Sequence, residues 1–369
     1  MSILYDEGQH AMAEETRRVL AARTDRTRLL ELLDCKGEWD EAFWTTAVEQ
    51  GWTALAVPEE FGGLGLGLIE LGLVAQEAGR VVSGAPFLTY GHGAVCALLA
   101  SDDEDLLATW LPRLAKGEVK AAVAFAEDDG AMPAAPSVEY RDGRLHGTKG
   151  GVACGLAADI AIVSASSPDG MVLALVDLGQ ASGDELQRRA IGSFDNGRLF
   201  ADMTFSGAPA TVLEAGDAAE EAALDLQAQM AVIAAHEQTG GAEAMMLAAR
   251  DYALERKAFG QPIGAFQSVK HRLAEMYGLV EIARANCIHA AARQGEGDFL
   301  EAAACARLSA IEAYDTATRD AVQIHGGSGV TWDGGLHLHM RRARSLAIEL
   351  GNALFWEDLL ATELTGEPA

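Results

Sequence analysis

Two segments of the chain gather residue types suited to holding a large anionic molecule. One runs Arg256-Lys-Ala-Phe259-Gly-Gln-Pro-Ile-Gly-Ala-Phe-Gln267, the other Gln323-Ile-His-Gly326-Gly327-Ser-Gly. A guanidinium makes paired, charge-assisted bonds to phosphate oxygens that a lysine cannot reproduce. A glycine pair has no Cβ to keep a ligand at a distance. Each residue also has an ordinary reading: Arg256 as a solvated helix residue, Phe259 as a core aromatic, Gln267 as a helix-surface amide, Gly326-Gly327 as a helix C-cap with φ above zero. Residue type and spacing leave both open. His325 reads as incidental, and the Gly62-Gly-Leu-Gly-Leu-Gly67 run, with no strand before it, reads as a joint between helices rather than a nucleotide loop.

The elements that must position these residues follow from periodicity. From Gln9 to about Lys116 apolar residues recur three and four apart, broken at Pro58-Glu-Glu-Phe-Gly-Gly, which predicts a helical domain over 1–117. Across 118–215 short Val, Ile and Leu runs at 121–126, 159–165, 171–178 and 199–205, with turn chemistry at Arg141-Asp-Gly-Arg and Ser167-Pro-Asp-Gly, predict a β domain. Over 216–369 the chain is Ala-rich and helical, and Phe266, Val269, Leu273, Met276, Val280, Ala283 and Cys287 mark one buried face of a long helix. Asp298-Phe-Leu-Glu301 has the spacing of a capping box opening the next helix. The fold class is α+β, ordered helix, β, helix, with a C-terminal helical bundle.

Composition narrows the function. A formal charge of -27 argues against nucleic acid and anionic lipid as partners. Any anionic ligand then needs local cations, and Lys270-His271-Arg272 and Arg341-Arg342-Ala343-Arg344 are the clusters that offer them. The five cysteines, Cys35, Cys96, Cys154, Cys287 and Cys305, form no C-x-x-C pair or metal spacing. With no signal-peptide run near the start and no apolar stretch long enough to span a bilayer, a cytoplasmic location is expected.

Three stretches, in family order, resemble the acyl-CoA dehydrogenase family: Val57-Pro-Glu-Glu-Phe-Gly-Gly, Arg256-Lys-Ala-Phe-Gly-Gln-Pro-Ile-Gly-Ala-Phe-Gln267, and Gln323-Ile-His-Gly-Gly-Ser-Gly with the arginine-bearing segment after it. The resemblance runs nearly end to end. It implies the acyl-CoA dehydrogenase fold with a C-terminal four-helix bundle, FAD as cofactor, an acyl-CoA substrate, and an electron-transfer flavoprotein or similar acceptor. It also implies that Arg256 meets the FAD pyrophosphate across a protomer interface, that Phe259, Gln267 and Gln323 contact the dinucleotide, and that Gly326 and Gly327 let it approach.

The family removes a proton from C2 with a glutamate while a hydride leaves C3 for the flavin. Counting without gaps, the two family positions for that base fall on Leu350 and Met230, neither of which accepts a proton. Glu349 lies one residue early and is the remaining base candidate; on a helix that step turns the side chain about 100° away from the substrate, and its ordinary reading is a helix-surface acid. Where the family stacks Trp-Ile-Thr on the flavin ring, this chain has Lys149-Gly-Gly-Val-Ala-Cys154, and the family's Thr-Glu-Pro-Gly is reduced to Ala126-Glu-Asp-Asp-Gly130. Three readings follow: the base-lacking subunit of a heterotetramer with a homologous chain, resembling the branch that acts on steroid-CoA or other bulky acyl chains; a homo-oligomeric flavoenzyme with a displaced base or a different reaction; or a non-catalytic binding or scaffolding protein on the same fold.

Overall fold

The computed structural model describes residues 5–84, 86–128 and 130–366, so Asp129 of the Ala126–Gly130 segment and the first four residues of the amino-terminal reading lie outside the described residues. Helix α1 (Glu7–Arg23) starts at Asp6, whose carboxylate accepts the Gln9 N–H at 2.8 Å while the Gln9 amide accepts the Asp6 N–H at 3.1 Å. Helices α2 (Arg26–Leu32), α3 (Glu41–Glu49), α4 (Leu68–Val81), α5 (Phe87–Ala100) and α6 (Glu104–Ala115) follow. The glycine run 62–67 is the joint before α4, with left-handed Gly62 and Gly65 turning the chain where a Cβ would be strained.

An eight-stranded sheet comes next: β1 (Ala121–Ala124), β2 (Glu139–Arg141), β3 (Arg144–Val152), β4 (Ile160–Ser167), β5 (Gly170–Asp177), β6 (Leu186–Ala190), β7 (Ala201–Pro209) and β8 (Thr211–Ala215). Its order is β6-β7-β3-β2-β4-β5-β8, with β1 parallel to β4. The four apolar runs became β1, β4, β5 and β7, and the two expected turns join β2 to β3 and β4 to β5. β6, which is Leu-Gln-Arg-Arg-Ala, exposes four of its five residues at the sheet edge, so no apolar run announced it.

The carboxyl-terminal part holds α7 (Asp217–Glu255), a hairpin of β9 (Lys257–Ala258) and β10 (Gln261–Pro262), then α8 (Gln267–Ala292), α9 (Phe299–His325), α10 (Leu336–Leu346) and α11 (Ala353–Thr365). Met276, Val280, Ala283 and Cys287 form the buried face of α8; Phe266 sits just outside its first turn. The expected capping box at Asp298 is absent. Its carboxylate accepts instead from Arg293 Nε at 2.6 Å, because the turn ahead of α9 brings that guanidinium within reach. Among the described residues no helix is long and apolar enough to cross a membrane.

Candidate active site

A cleft of about 1080 Å³ opens where the sheet meets α5, α7 and the end of α10. Its walls are mostly apolar, including Val123, Phe125, Val152, Phe200, Leu350 and Phe355. The β3–β7 register slips between Lys149 and Val152, a bulge that carries Gly150 and Gly151 onto the wall. Gly150 N–H is held by Ala126 O at 3.1 Å and Gly151 N–H by Asp202 Oδ1 at 3.2 Å. Gly151 has φ +60, and nothing lies within 4 Å of where a Cβ would project. This wall therefore offers neither hydroxyl nor indole to a planar ring.

Beneath the bulge Lys149 is fully buried, its Nζ donating to Glu127, to Phe125 O at 3.1 Å and to Ser164 Oγ at 3.0 Å. Glu127 also accepts the Ser137 N–H at 2.6 Å and the Val138 N–H at 3.2 Å, so this cleft-lining acid is committed to structure. Burial pulls the Lys149 ammonium down to about 8 against the opposing pull of Glu127. Above that pH the folded lysine has lost its proton while the unfolded one, near 10.4, still binds it, so stability rises with pH across this window. Between pH 8 and 10 the urea midpoint of the native chain should climb relative to that of Lys149→Met, by the equivalent of ~1–3 kcal/mol. A difference independent of pH would show that Lys149 keeps its proton in the fold.

The cleft floor rests on six buried charges. Arg198 donates through Nε and Nη2 to Glu349 at 2.9 and 2.6 Å, and through Nη1 to Glu237 at 3.2 Å. Arg342 bonds Asp195 and, at 2.6 Å, Glu237. Arg307 bonds the Gln238 side chain and the backbone carbonyls of Leu346 and Glu349. Two of the guanidinium groups thus pair with three carboxylates, and the third is held by an amide and two backbone carbonyls. Burial works against the Arg198 charge, but Glu237 and Glu349 outweigh it and hold the group above its ordinary value; Arg307, which pairs with no carboxylate directly, falls to about 10 through burial.

Two expectations fail here. Glu349 is not a surface acid one helical step from Leu350: α10 ends at Leu346, and the following turn finishes in Leu350 at φ +62. The Glu349 side chain is turned inward onto Arg198 and the Tyr90 hydroxyl, 3.1 Å away, and both of its oxygens already accept side-chain hydrogen bonds. Arg342, expected among cations available to an anionic ligand, is 3% exposed and already paired. In its cluster Arg341 donates to Phe194 O at 3.0 Å, and Arg344, at the cleft edge, pairs with Asp315.

The other candidates fall into two separate sets. Leu350 lines the cleft; Met230 does not, being fully buried against Gly93, and Gln227 one turn earlier takes the place on the wall. Arg256, Phe259, Gln267, Gln323, Gly326 and Gly327 are all exposed, and none of them lines the cleft. The β9–β10 hairpin has Phe259 and Gly260 as its two-residue tip, both at positive φ, the geometry of a type I′ turn. Phe259 is 96% exposed, so it is no core aromatic; an aromatic in that backbone region at an exposed tip is strained, which is typical of contact sites. Gln323 borders a shallow polar depression beside His271 and Arg272, and His325 is stacked on Tyr252 at 4.3 Å. Within one chain the residues therefore do not fit a complete flavin site: the glycine bulge offers the ring no side-chain contact, neither base position carries an acid, and the phosphate-type contacts face outward.

Comparison with known proteins identifies the family and the fold. The family models described as acyl-CoA dehydrogenase N-terminal domain and C-terminal domain match residues 6–118 and 220–361. The acyl-CoA dehydrogenase IpdE2 of Mycobacterium tuberculosis is 31% identical over 314 residues, covering 84% of this chain and 82% of that protein. A solved variant of the Tcur3481–Tcur3483 steroid ACAD is 29% identical with a TM-score of 0.85, covering 98% of each chain. The ChsE4–ChsE5 complex from Mycobacterium tuberculosis is 25% identical with a TM-score of 0.88 over 100% of both chains. With both outer domains matched, the fold shared end to end and a relative at this identity over most of its length, the chain belongs to the acyl-CoA dehydrogenase family, a family of FAD flavoproteins.

Proposed function

We propose that the chain is the base-lacking subunit of a heteromeric acyl-CoA dehydrogenase that carries out α,β-dehydrogenation of an acyl-CoA thioester in the cytoplasm, on steroid-CoA or another bulky acyl group, passing electrons to an electron-transfer flavoprotein or similar acceptor. The observation that carries this reading is the separation just described. The dinucleotide-type residues Arg256, Phe259, Gln267, Gln323, Gly326 and Gly327 are presented outward, while the chain's own cleft has leucine at the base position and glycine where ring contacts belong. FAD, when bound, supplies the hydride acceptor. In this reading the ring and base sites belong to a homologous partner, and this chain binds the dinucleotide end through Arg256 and the glycine pair. The names of the relatives, a steroid ACAD and a two-protein complex, support both the bulky acyl group and the second chain.

Glu349 keeps a second reading alive, a homo-oligomer with a displaced base, since the residue lines the cleft. Its bonds to Arg198 and Tyr90 weigh against it. Visible absorption of the chain purified alone, beside the same chain co-expressed with a homologous dehydrogenase chain, separates the two. No flavin in the lone chain and bound FAD in the co-purified complex are expected; a lone chain holding one FAD per protomer would sink the two-chain reading.

A further inference from the structure

We infer that the cleft of this chain is a binding site in its own right for a bulky apolar molecule bearing one keto or hydroxyl group, anchored by the Gln227 amide. The inference rests on the two-chain reading in one respect: the flavin ring occupies the partner's cleft and leaves this one open. Gln227 is 2% exposed, lines the cleft, and its side chain has no hydrogen-bond partner among the described residues. Its amide is not sealed away either, since it is not among the fully enclosed unpaired polar groups. Most other polar side chains on the cleft are already engaged: Tyr90 with Glu349, Glu349 with Arg198, Glu127 with Lys149, and Asn352 with the Phe355 N–H at 3.0 Å, while the Ser345 hydroxyl, like Gln227, has no partner among the described residues. The Gln227 amide thus faces the apolar cleft with its hydrogen-bonding capacity unspent.

An amide donates to a ketone and either donates to or accepts from a hydroxyl, so both groups satisfy it. It has no charge to offset a carboxylate or ammonium, and the six buried charges nearby already balance, so an ionised ligand group would be left uncompensated. The volume, about 1080 Å³, lies just above the range of pockets that enclose drug-sized ligands, which leaves room for a bulky one. A bulky body filling the walls formed by Val123, Phe125, Val152 and Phe200, with one oxygen at Gln227, matches both features.

Fluorenone and fluorene share one fused-ring shape and differ by the ketone, which makes them suitable probes for the full chain by equilibrium dialysis. Flavin content is read first from the visible spectrum, which tests the two-chain reading separately. Non-specific partitioning favours the hydrocarbon, so a preference for the ketone reports a specific bond. Fluorenone is expected to bind about tenfold tighter than fluorene. Gln227→Leu should erase that preference while leaving fluorene binding in place. Equal binding of the two probes, binding of neither, or a ketone preference that survives in Gln227→Leu overturns the inference. Should Gln227→Leu fail to fold, the comparison of the two probes on the unmodified chain still decides.

Discussion

Arg198→Met should lower the stability of the chain by about 3–5 kcal/mol, read as a fall in the urea midpoint followed by circular dichroism. The guanidinium is 1% exposed and bonds two carboxylates that are themselves buried, Glu349 and Glu237. Removing it leaves Glu349, whose side chain is 2% exposed, with the Tyr90 hydroxyl as its remaining side-chain partner. Glu237 retains Arg342, so most of the loss comes from Glu349. The scale of the effect follows from burial, and an exposed pair makes the control. Arg18 and Glu15 approach to 2.5 Å but are 72% and 51% exposed, and Arg18→Met should leave the urea midpoint nearly unchanged. Replacing both buried partners, Arg198→Met with Glu349→Leu, should recover much of the loss, because no uncompensated charge then remains. An Arg198→Met chain no weaker than Arg18→Met would mean that water from the cleft solvates Glu349 once the guanidinium is gone.

That cluster also shows where reading the sequence stops. Periodicity located the long helices and the apolar strands because each buries a continuous stripe. The segments carrying Phe259 and Gln323 were singled out by local residue order, although the β9–β10 hairpin that presents Phe259 was not expected. Arg198, Glu237, Arg307 and Asp195 carried no such signal: an isolated charged residue looks the same whether it is solvated or paired across 39 or 151 residues of chain. Arg342 was misread for this reason, as one of three arginines in a segment that suggested a basic patch. Glu349 was misread because α10 stops four residues before Leu350, and nothing in Ala347-Ile-Glu announces a left-handed leucine. Gly351 just after it was the available cue, since glycine marks helix ends. Gln227 was passed over for Met230 by counting from Arg256 along a helix whose wall-facing residue is set by how α7 rotates against the sheet.

Gly240→Ala should cost about 3 kcal/mol or more, against what helix propensity alone expects. Alanine is the better helix former by about 1 kcal/mol, so an open site would gain. Gly240 is not open: a Cβ there would lie 1.8 Å from Gln76 O on α4, and one on Gly79 would lie 2.0 Å from Glu237 O on α7. Both obstacles are backbone, which cannot rotate aside, so the two helices must part along a well-packed crossing; overpacking of this kind typically costs 1–3 kcal/mol, occasionally more. Gly72 completes the contact, with a Cβ there 2.7 Å from the buried His236 ring. Gly278→Ala on α8 is the matched test, because nothing lies within 4 Å of its Cβ, and it should be neutral or stabilising by up to ~1 kcal/mol. Equal melting shifts for the two variants would show that α4 and α7 yield without strain. The consequence reaches the site, since α7 carries Gln227 on the cleft wall, Glu237 in the charge cluster and Arg256 at its end. A helix displaced at Gly240 moves all three together, so Gly240→Ala should weaken flavin retention in the two-chain complex even though no substituted atom touches the cofactor.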